Sequence, residues 1–285
     1  MIRIAFLGSD STHTEAFANR INGADAPFAS VARVTSIWGE DPDQTAAKAQ
    51  ALGIEKVAAT PREALQDADF AMVIGRFADA HTEPALEAIA AGVPTFVDKP
   101  FTENAANARK LIDAARAKGV RLCSASPLRF TPELISVRNG AKGKATYLAS
   151  APAACTDLGP DPRLNSAFFY GIHALEMLLE LAGHDIARHQ ITFGPRFIHL
   201  HLDMESGSAG SLTLVRDTPE FYSIGRIDEA GQQIETVELD GGYYHAELDH
   251  LLNAFVPGKS SIALESSLAA IELLEEIDTR DTYRS

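Results

Sequence analysis

The first 125 residues of this chain alternate between two hydrophobic periods, and that alternation restricts the possible folds more than any other feature. Short apolar runs, "RIAFLG", "VARVTSIWG", "FAMVIGR", "PTFVDKPF" and "VRLCSAS", read as buried strands. Between them lie residues 15–21, 44–52, 83–91 and 104–117, where apolar side chains recur three and four apart, as on one helix face. Gly53, Gly92 and Gly119 follow three of these stretches, where a left-handed cap ends a helix. Strand and helix in strict alternation, with short joints, predict a doubly wound parallel sheet with right-handed crossovers.

After Pro127 the rhythm changes. A helix is expected around 131–140, a strand in "GKATYLASAPA", a polar Gly/Pro-containing stretch over 154–165 and a strong helix over 170–182. Long alternating runs follow, "QITFGPRFIHLHLDME", "AGSLTLVRD", "FYSIGRIDE" and "QQIETVELD", which read as an antiparallel meander. Two helices, "HAELDHLLNAFV" and "SSLAAIELLEEID", come last. The expected architecture is α/β: a Rossmann-type domain over 1–125, then an α+β domain over 126–285 with an open, mainly antiparallel sheet. The last helix is allowed to pack back on the first domain. A length of 285 residues suits two domains better than one.

Acidic residues outnumber basic ones by 39 to 25, a net charge of −14. A surface that negative repels phosphate backbones and anionic lipid, which disfavours nucleic-acid and membrane partners. Cys123 and Cys155 lack metal-ligand spacing and read as reduced thiols. "MIRIAFLG" runs straight into a strand, and no apolar run has the length of a membrane span. A cytoplasmic protein with a small-molecule partner is expected.

Lys99 stands at the end of the fifth strand, where open parallel sheets bind ligands. Pro100 restricts its backbone and allows the rare cis bond. "DKPF" after a buried strand resembles the Glu-Lys-Pro signature of the Gfo/Idh/MocA family of NAD(P)-dependent sugar and polyol oxidoreductases. The segment from "FADAHTEPAL" to "ARAKGVRL" is similar to that family's core segment, and "SPLRFTPEL" to its linker. "FFYGIHALEMLLELAG" resembles its Gly-x-His helix, and "ELDHLLNAFVPGK" its closing helix. The resemblance implies NAD or NADP as cofactor, Lys99 as catalytic lysine and His173 as proton acceptor. Those residue types suit the task. Oxidising a carbinol releases a hydroxyl proton, and histidine titrates near neutrality. On its helix alone, His173 reads first as a hydrogen-bonded core histidine; Lys99 and the order of the family motifs favour the catalytic reading.

Several positions depart from the family pattern. The aspartate expected four residues before the histidine is Phe169, which accepts no proton. Aligned on Gly8, the glycine fingerprint becomes Gly8-Ser9-Asp10-Ser11-Thr12-His13. The tight turn survives, but Asp10 brings negative charge where the backbone approaches a pyrophosphate. Ser9, Ser11 and Thr12 can donate hydrogen bonds to an anion, or Asp10 or Ser11 simply caps the helix. Gly39 falls where the family places its ribose-binding aspartate, and Glu40, next along, either takes that role or is an exposed loop carboxylate. Arg76 can bind a phosphate or a substrate carboxylate, or pair with Asp10 or Glu40. His81 reads as structural.

Arg129, Phe169, Tyr170 and Tyr243 are expected around the substrate. His199, His201 and Asp203 share one strand face, but three groups spread along a strand rarely converge on one ion, and no metal is expected. In the family that sheet commonly forms a subunit interface, which implies a homo-oligomer, dimer or tetramer. Two competing functions stay open on the same scaffold: a non-redox lyase, hydrolase or epimerase, and a ligand-binding protein without catalysis.

Overall fold

The computed structural model describes residues 1–155, 161–164, 166–259 and 262–283, and its chain divides into two units. One comprises Met1–Ala125 with Tyr244–Leu264, the other Ser126–Tyr243 with Glu265–Ser285. Much of the polar stretch over 154–165 lies outside the described residues.

The first unit runs β1 (Ile2–Leu7), α1 (Thr12–Asn22), β2 (Ala32–Trp38), α2 (Pro42–Ala51), β3 (Lys56–Val57), α3 (Pro61–Ala64), β4 (Phe70–Val73), α4 (Thr82–Ala90), β5 (Thr95–Val97), α5 (Ala105–Lys118) and β6 (Leu122–Ser124). Its sheet has the order β3-β2-β1-β4-β5-β6, every pair parallel. The expected doubly wound sheet is therefore present. β1 and β4 are covered on both faces, which is why they read as unbroken apolar runs; Ile4, Phe6, Phe70 and Met72 are fully buried. β3 is too short to carry a period, and the sequence pattern missed it.

Local chemistry sets the helix limits. Ser11, Asp41 and Asn104 cap α1, α2 and α5 by accepting backbone N–H groups of the first turn, each such cap contributing about 1 kcal/mol. Gly53, Gly92 and Gly119 hold φ of 63°, 78° and 64°, the expected left-handed stops. Because the order of strands reverses between β1 and β4, their carboxyl ends border a crevice.

The second unit contains α6 (Pro132–Gly140), β7 (Thr146–Pro152), α7 (Gly171–Ala182), β8 (Ile186–Phe193), β9 (Phe197–Met204), β10 (Ala209–Val215), β11 (Ser223–Asp228) and β12 (Gly231–Thr236). After these come α8 (Gly242–His250) and α9 (Leu264–Arg280). The sheet order is β12-β11-β7-β10-β9-β8. It is mainly antiparallel, as expected, but not a simple meander. β7 enters between β11 and β10 and pairs parallel with β10, because the intervening α7 carries the chain across the face it covers. Leu175, Leu178, Leu200, Leu212 and Leu214 fill the core between helix and sheet.

From Tyr244 onward, α8 belongs to the first unit. The Tyr244 ring meets His13 and Phe17 edge-on at 5.1 and 5.7 Å, and a π-helical turn over Leu251–Phe255 sets Phe255 against Phe70 at 6.1 Å. The helix returned to the first unit is thus α8, whereas α9 contributes Ala270, Leu273, Leu274 and Ile277 to the second core.

Candidate active site

In the first unit, β1 ends at Gly8 with φ of 117°, and a Cβ there would lie 2.4 Å from the Gly75 backbone nitrogen. Only glycine lets the ends of β1 and β4 meet this closely. Above them is a cleft of about 150 Å³ lined by Gly8, Ser9, Asp10, Trp38, Glu40 and Gly75, with Asp41 and Gln44 on the α2 side.

The sequence-predicted loop residues divide within it. Ser9 is buried and shares a 2.8 Å hydrogen bond with Thr45, so its hydroxyl serves the loop. Ser11 is the helix cap, its Oγ accepting the His13 N–H at 3.1 Å, and Thr12 begins α1 exposed. Asp10 accepts the Arg76 backbone N–H at 3.0 Å. The Asp10–Arg76 link thus runs through the main chain, while the Arg76 guanidinium lies over the Phe77 ring at 5.7 Å. Glu40 is exposed on the cleft wall, and Asp41 caps α2. Gly39 explains the shifted acid. A Cβ there would fall 2.0 Å from Ser9 Oγ and 2.4 Å from Thr45 Oγ1. No side chain fits at 39, and the nearest carboxylate moves to Glu40.

The Lys99 turn is held from several directions. Asp98 Oδ1 accepts the Lys99 N–H at 2.7 Å, and its Oδ2 lies 2.5 Å from His13 Nδ1. Burial alone raises the Asp98 carboxyl, but the charge and hydrogen bond of His13, with Lys99 and His81, outweigh it and hold the group below its usual range. The Lys99–Pro100 bond is cis. His81, fully buried, spends Nδ1 on the Pro100 carbonyl and Nε2 on that of Gly75, both at 2.9 Å. The structural reading of His81 agrees with that geometry. The sequence reading placed His13 at the third glycine position and missed its partnership with Asp98.

In the second unit, His173 lies in the first turn of α7 and is buried. Its Nδ1 is 2.6 Å from Ser126 Oγ, and the Ser126 backbone N–H donates to Glu176 Oε2 at 2.6 Å. Tyr222 meets the imidazole edge-on at 5.4 Å; burial pushes its phenol well above the usual range, and Glu220 adds to the shift. Arg129, expected near the substrate, has its guanidinium engaged by Glu180 at 2.5 Å and by Glu176 at 3.8 Å. That pairing ties the turn after β6 to α7. Phe169 and Tyr170 stack edge-on at 4.9 Å just before α7, and both Tyr170 and Tyr243 pack against the second core. Ser126, Glu176 and Tyr222 were missed. One signal was available for Glu176, an acid inside the otherwise apolar "GIHALEMLLELA", which demands a buried partner.

On the outer strands, His199 bonds Thr213, and His201 and Arg188 both engage Asp203. Among the described residues no group of three or more His, Cys, Asp or Glu side chains is placed to hold a metal ion. No helix among them is long and apolar enough to cross a membrane.

A parallel sheet of this order, opening a glycine-walled cleft at its switch point, defines a dinucleotide-binding class of fold. Residues 2–126 match the GFO_IDH_MocA model, described as an oxidoreductase family with an NAD-binding Rossmann fold. Inositol 2-dehydrogenase of Cereibacter sphaeroides is 30% identical over 131 residues, 45% of this chain and 37% of that enzyme. The matches to curated relatives span less than two fifths of those proteins' lengths, 38%, 37% and 36% for three of them. The fold extends further. GenD2 from gentamicin A biosynthesis, solved with NAD, superposes with a TM-score of 0.77 at 18% identity, covering 96% of this chain and 92% of that one. UDP-N-acetylglucosamine 3-dehydrogenase GnnA from Acidithiobacillus ferrooxidans superposes at 0.76 and 17% identity, covering 98% and 97%.

Proposed function

We propose that this protein is an NAD-dependent oxidoreductase acting on a carbinol or carbonyl of a small polyhydroxylated molecule. The observation that carries the reading is the acid-walled cleft. Glu40 and Asp41 stand beside Trp38 at the end of β2, where a ribose diol is recognised in this fold. Carboxylates accept hydrogen bonds from two hydroxyls but repel a 2′-phosphate, which favours NAD over NADP. The residues present fit the ribose end. At the pyrophosphate end, the glycine contact of Gly8 with Gly75 keeps the turn tight, and the Arg76 N–H takes up part of the Asp10 charge.

When bound, the nicotinamide supplies or accepts the hydride. The chain's own residues do the rest. Lys99, presented by the His13–Asp98 pair and the Pro100 turn, orients the substrate oxygen as a fixed cation. His173 supplies an imidazole held in one rotation by Ser126. Within the second unit, Phe169 stands one turn before His173, where the resemblance implies a carboxylate.

The test uses the single tryptophan. Because Trp38 lines the cleft, its emission reports occupancy directly. NAD⁺ is expected to quench it saturably, with NADP⁺ binding at least about tenfold more weakly, a difference of about 1.4 kcal/mol. Failure of both to bind, confirmed by calorimetry, would sink the reading. It would return the non-redox and ligand-binding alternatives to first place, which Phe169 and Asp10 already favour.

A homo-oligomer assembled through the outer face of the second sheet is part of the same proposal. Phe197, Ile227 and Ile234 share that face at 40%, 47% and 61% exposure, an apolar surface suited to a second copy.

A further inference from the structure

His13 stands at the third position of the fingerprint, where the family resemblance implies a glycine. Its backbone N–H is held by Ser11 Oγ at 3.1 Å, so the ring springs from the turn that opens α1. The imidazole Nδ1 lies 2.5 Å from Asp98 Oδ2, and the other oxygen of that carboxylate accepts the Lys99 N–H at 2.7 Å. Asp98 is itself pinned to the sheet, its backbone N–H donating to the Val73 carbonyl at 2.8 Å. The rings of Tyr244 and Phe17 meet the imidazole edge-on at 5.1 and 5.7 Å. A glycine at 13 has no side-chain atom with which to make these contacts.

We propose that His13 couples occupancy of the dinucleotide cleft to the Lys99 turn, so that a bound cofactor sets the lysine before substrate arrives. His13 is a positioning residue in this role, acting on Lys99 through Asp98. The role rests on the cofactor reading given above.

Gly8, Ser9 and Asp10 line the cleft and lead directly into α1, whereas among the described residues neither His13 nor Lys99 lines it. An anion bound at that loop acts on the first turn of α1 in two ways. It draws the turn's N–H groups toward itself, and it favours positive charge on a ring carried by that turn. The ring is buried between two aromatic side chains in a close-packed interior, so it does not turn away. Both effects arrive at Asp98 Oδ2 and, across one carboxylate, at the Lys99 N–H. Three contacts, none longer than 3.1 Å, carry them from Ser11 to Lys99.

The test uses ADP, which has the adenosine ribose and two phosphates of the dinucleotide but lacks its nicotinamide end. The full chain is labelled with nitrogen-15 lysine, and the Lys99 amide signal is identified by its loss in Lys99→Arg. ADP is expected to shift that signal in step with the quenching of Trp38, while the amide of Lys110, on α5, stays in place. His13→Asn, whose amide nitrogen stands where Nδ1 does, should keep the shift. His13→Ala should lose it, with ADP bound about fivefold more weakly, the lower end of ordinary coupling between sites. A Lys99 signal unmoved at saturating ADP in the wild type overturns the proposal, even if the variants fail to fold. So does a shift that persists in folded His13→Ala, which assigns the coupling to His81 between Gly75 and Pro100. If neither ADP nor NAD⁺ quenches Trp38, the cofactor reading falls and the coupling falls with it. Binding without a Lys99 response removes the coupling alone.

Discussion

In the first unit His13 faces a carboxylate and His81 two carbonyl oxygens, while in the second unit His173 faces a hydroxyl. All three are buried. The partners differ in what they ask of the ring. Asp98 engages His13 as a charge, and the pair binds the start of α1 to the Lys99 turn across the sheet. His81 has both nitrogens committed to the main chain, so it braces the ends of β4 and β5. Ser126 engages His173 as a dipole, at Nδ1. The first unit's rings are braced by a charge and by the main chain, whereas the second unit's ring is positioned by a neutral hydroxyl.

The largest effect should come from breaking the charged pair. Asp98→Asn leaves His13 facing a neutral amide in a buried setting, and losing one partner of such a pair costs about 3–5 kcal/mol. Urea unfolding should show this loss, against a smaller one of about 1–3 kcal/mol for Ser126→Ala. Equal costs would erase the distinction drawn above. The same pair has a pH signature. The Asp98 carboxyl is held below its usual range, so its contribution is complete above the unfolded value, about 3.9. It is lost as pH falls through the lower folded value. The gap in unfolding midpoint between wild type and Asp98→Asn should therefore close in strong acid and stay constant at neutral pH.

Next in size is His173→Ala, expected to lower turnover about 10²–10⁴-fold, the usual loss for one general acid or base. Measured on whichever polyol a substrate panel identifies, that loss should leave the NAD⁺ titration of Trp38 unchanged. A variant of full activity would leave His173 a structural ring only. Asp10→Asn should then tighten NAD⁺ binding about fivefold, since two charges 4 Å apart in water exchange about 1 kcal/mol. The amide keeps an oxygen for the Arg76 N–H. Weaker binding would show that Asp10 does not confront the phosphates. The smallest effect on stability is expected from Ile234→Lys, within about 0.5 kcal/mol for an exposed site. Light scattering should nonetheless show smaller assemblies. A wild-type monomer at micromolar concentration would remove the oligomer from the proposal.

Much of this was readable in advance, and the reasons are local. β1, β4 and α5 announce themselves because burial on both faces, or on one stripe, leaves its period in the residues. Gly119 marks a helix end by its own conformational chemistry. Gly8, Asp10 and Glu40 were placed at the cleft because strand ends in a parallel sheet point one way. What the sequence hid is pairing at a distance. Nothing near His13 names Asp98 as its partner, and a serine before Pro127 reads only as a cap. The parallel entry of β7 beside β10, and the return of α8 to the first unit, depend on crossovers that leave no periodic trace.

The contact among Gly39, Ser9 and Thr45 makes three positions vary as one. A side chain at 39 would put its Cβ 2.0 Å from the serine oxygen while Ser9 and Thr45 share their bond. A larger residue at 39 therefore becomes admissible only together with a change at 9 or 45, so that the cost of one substitution depends on the identity of the others.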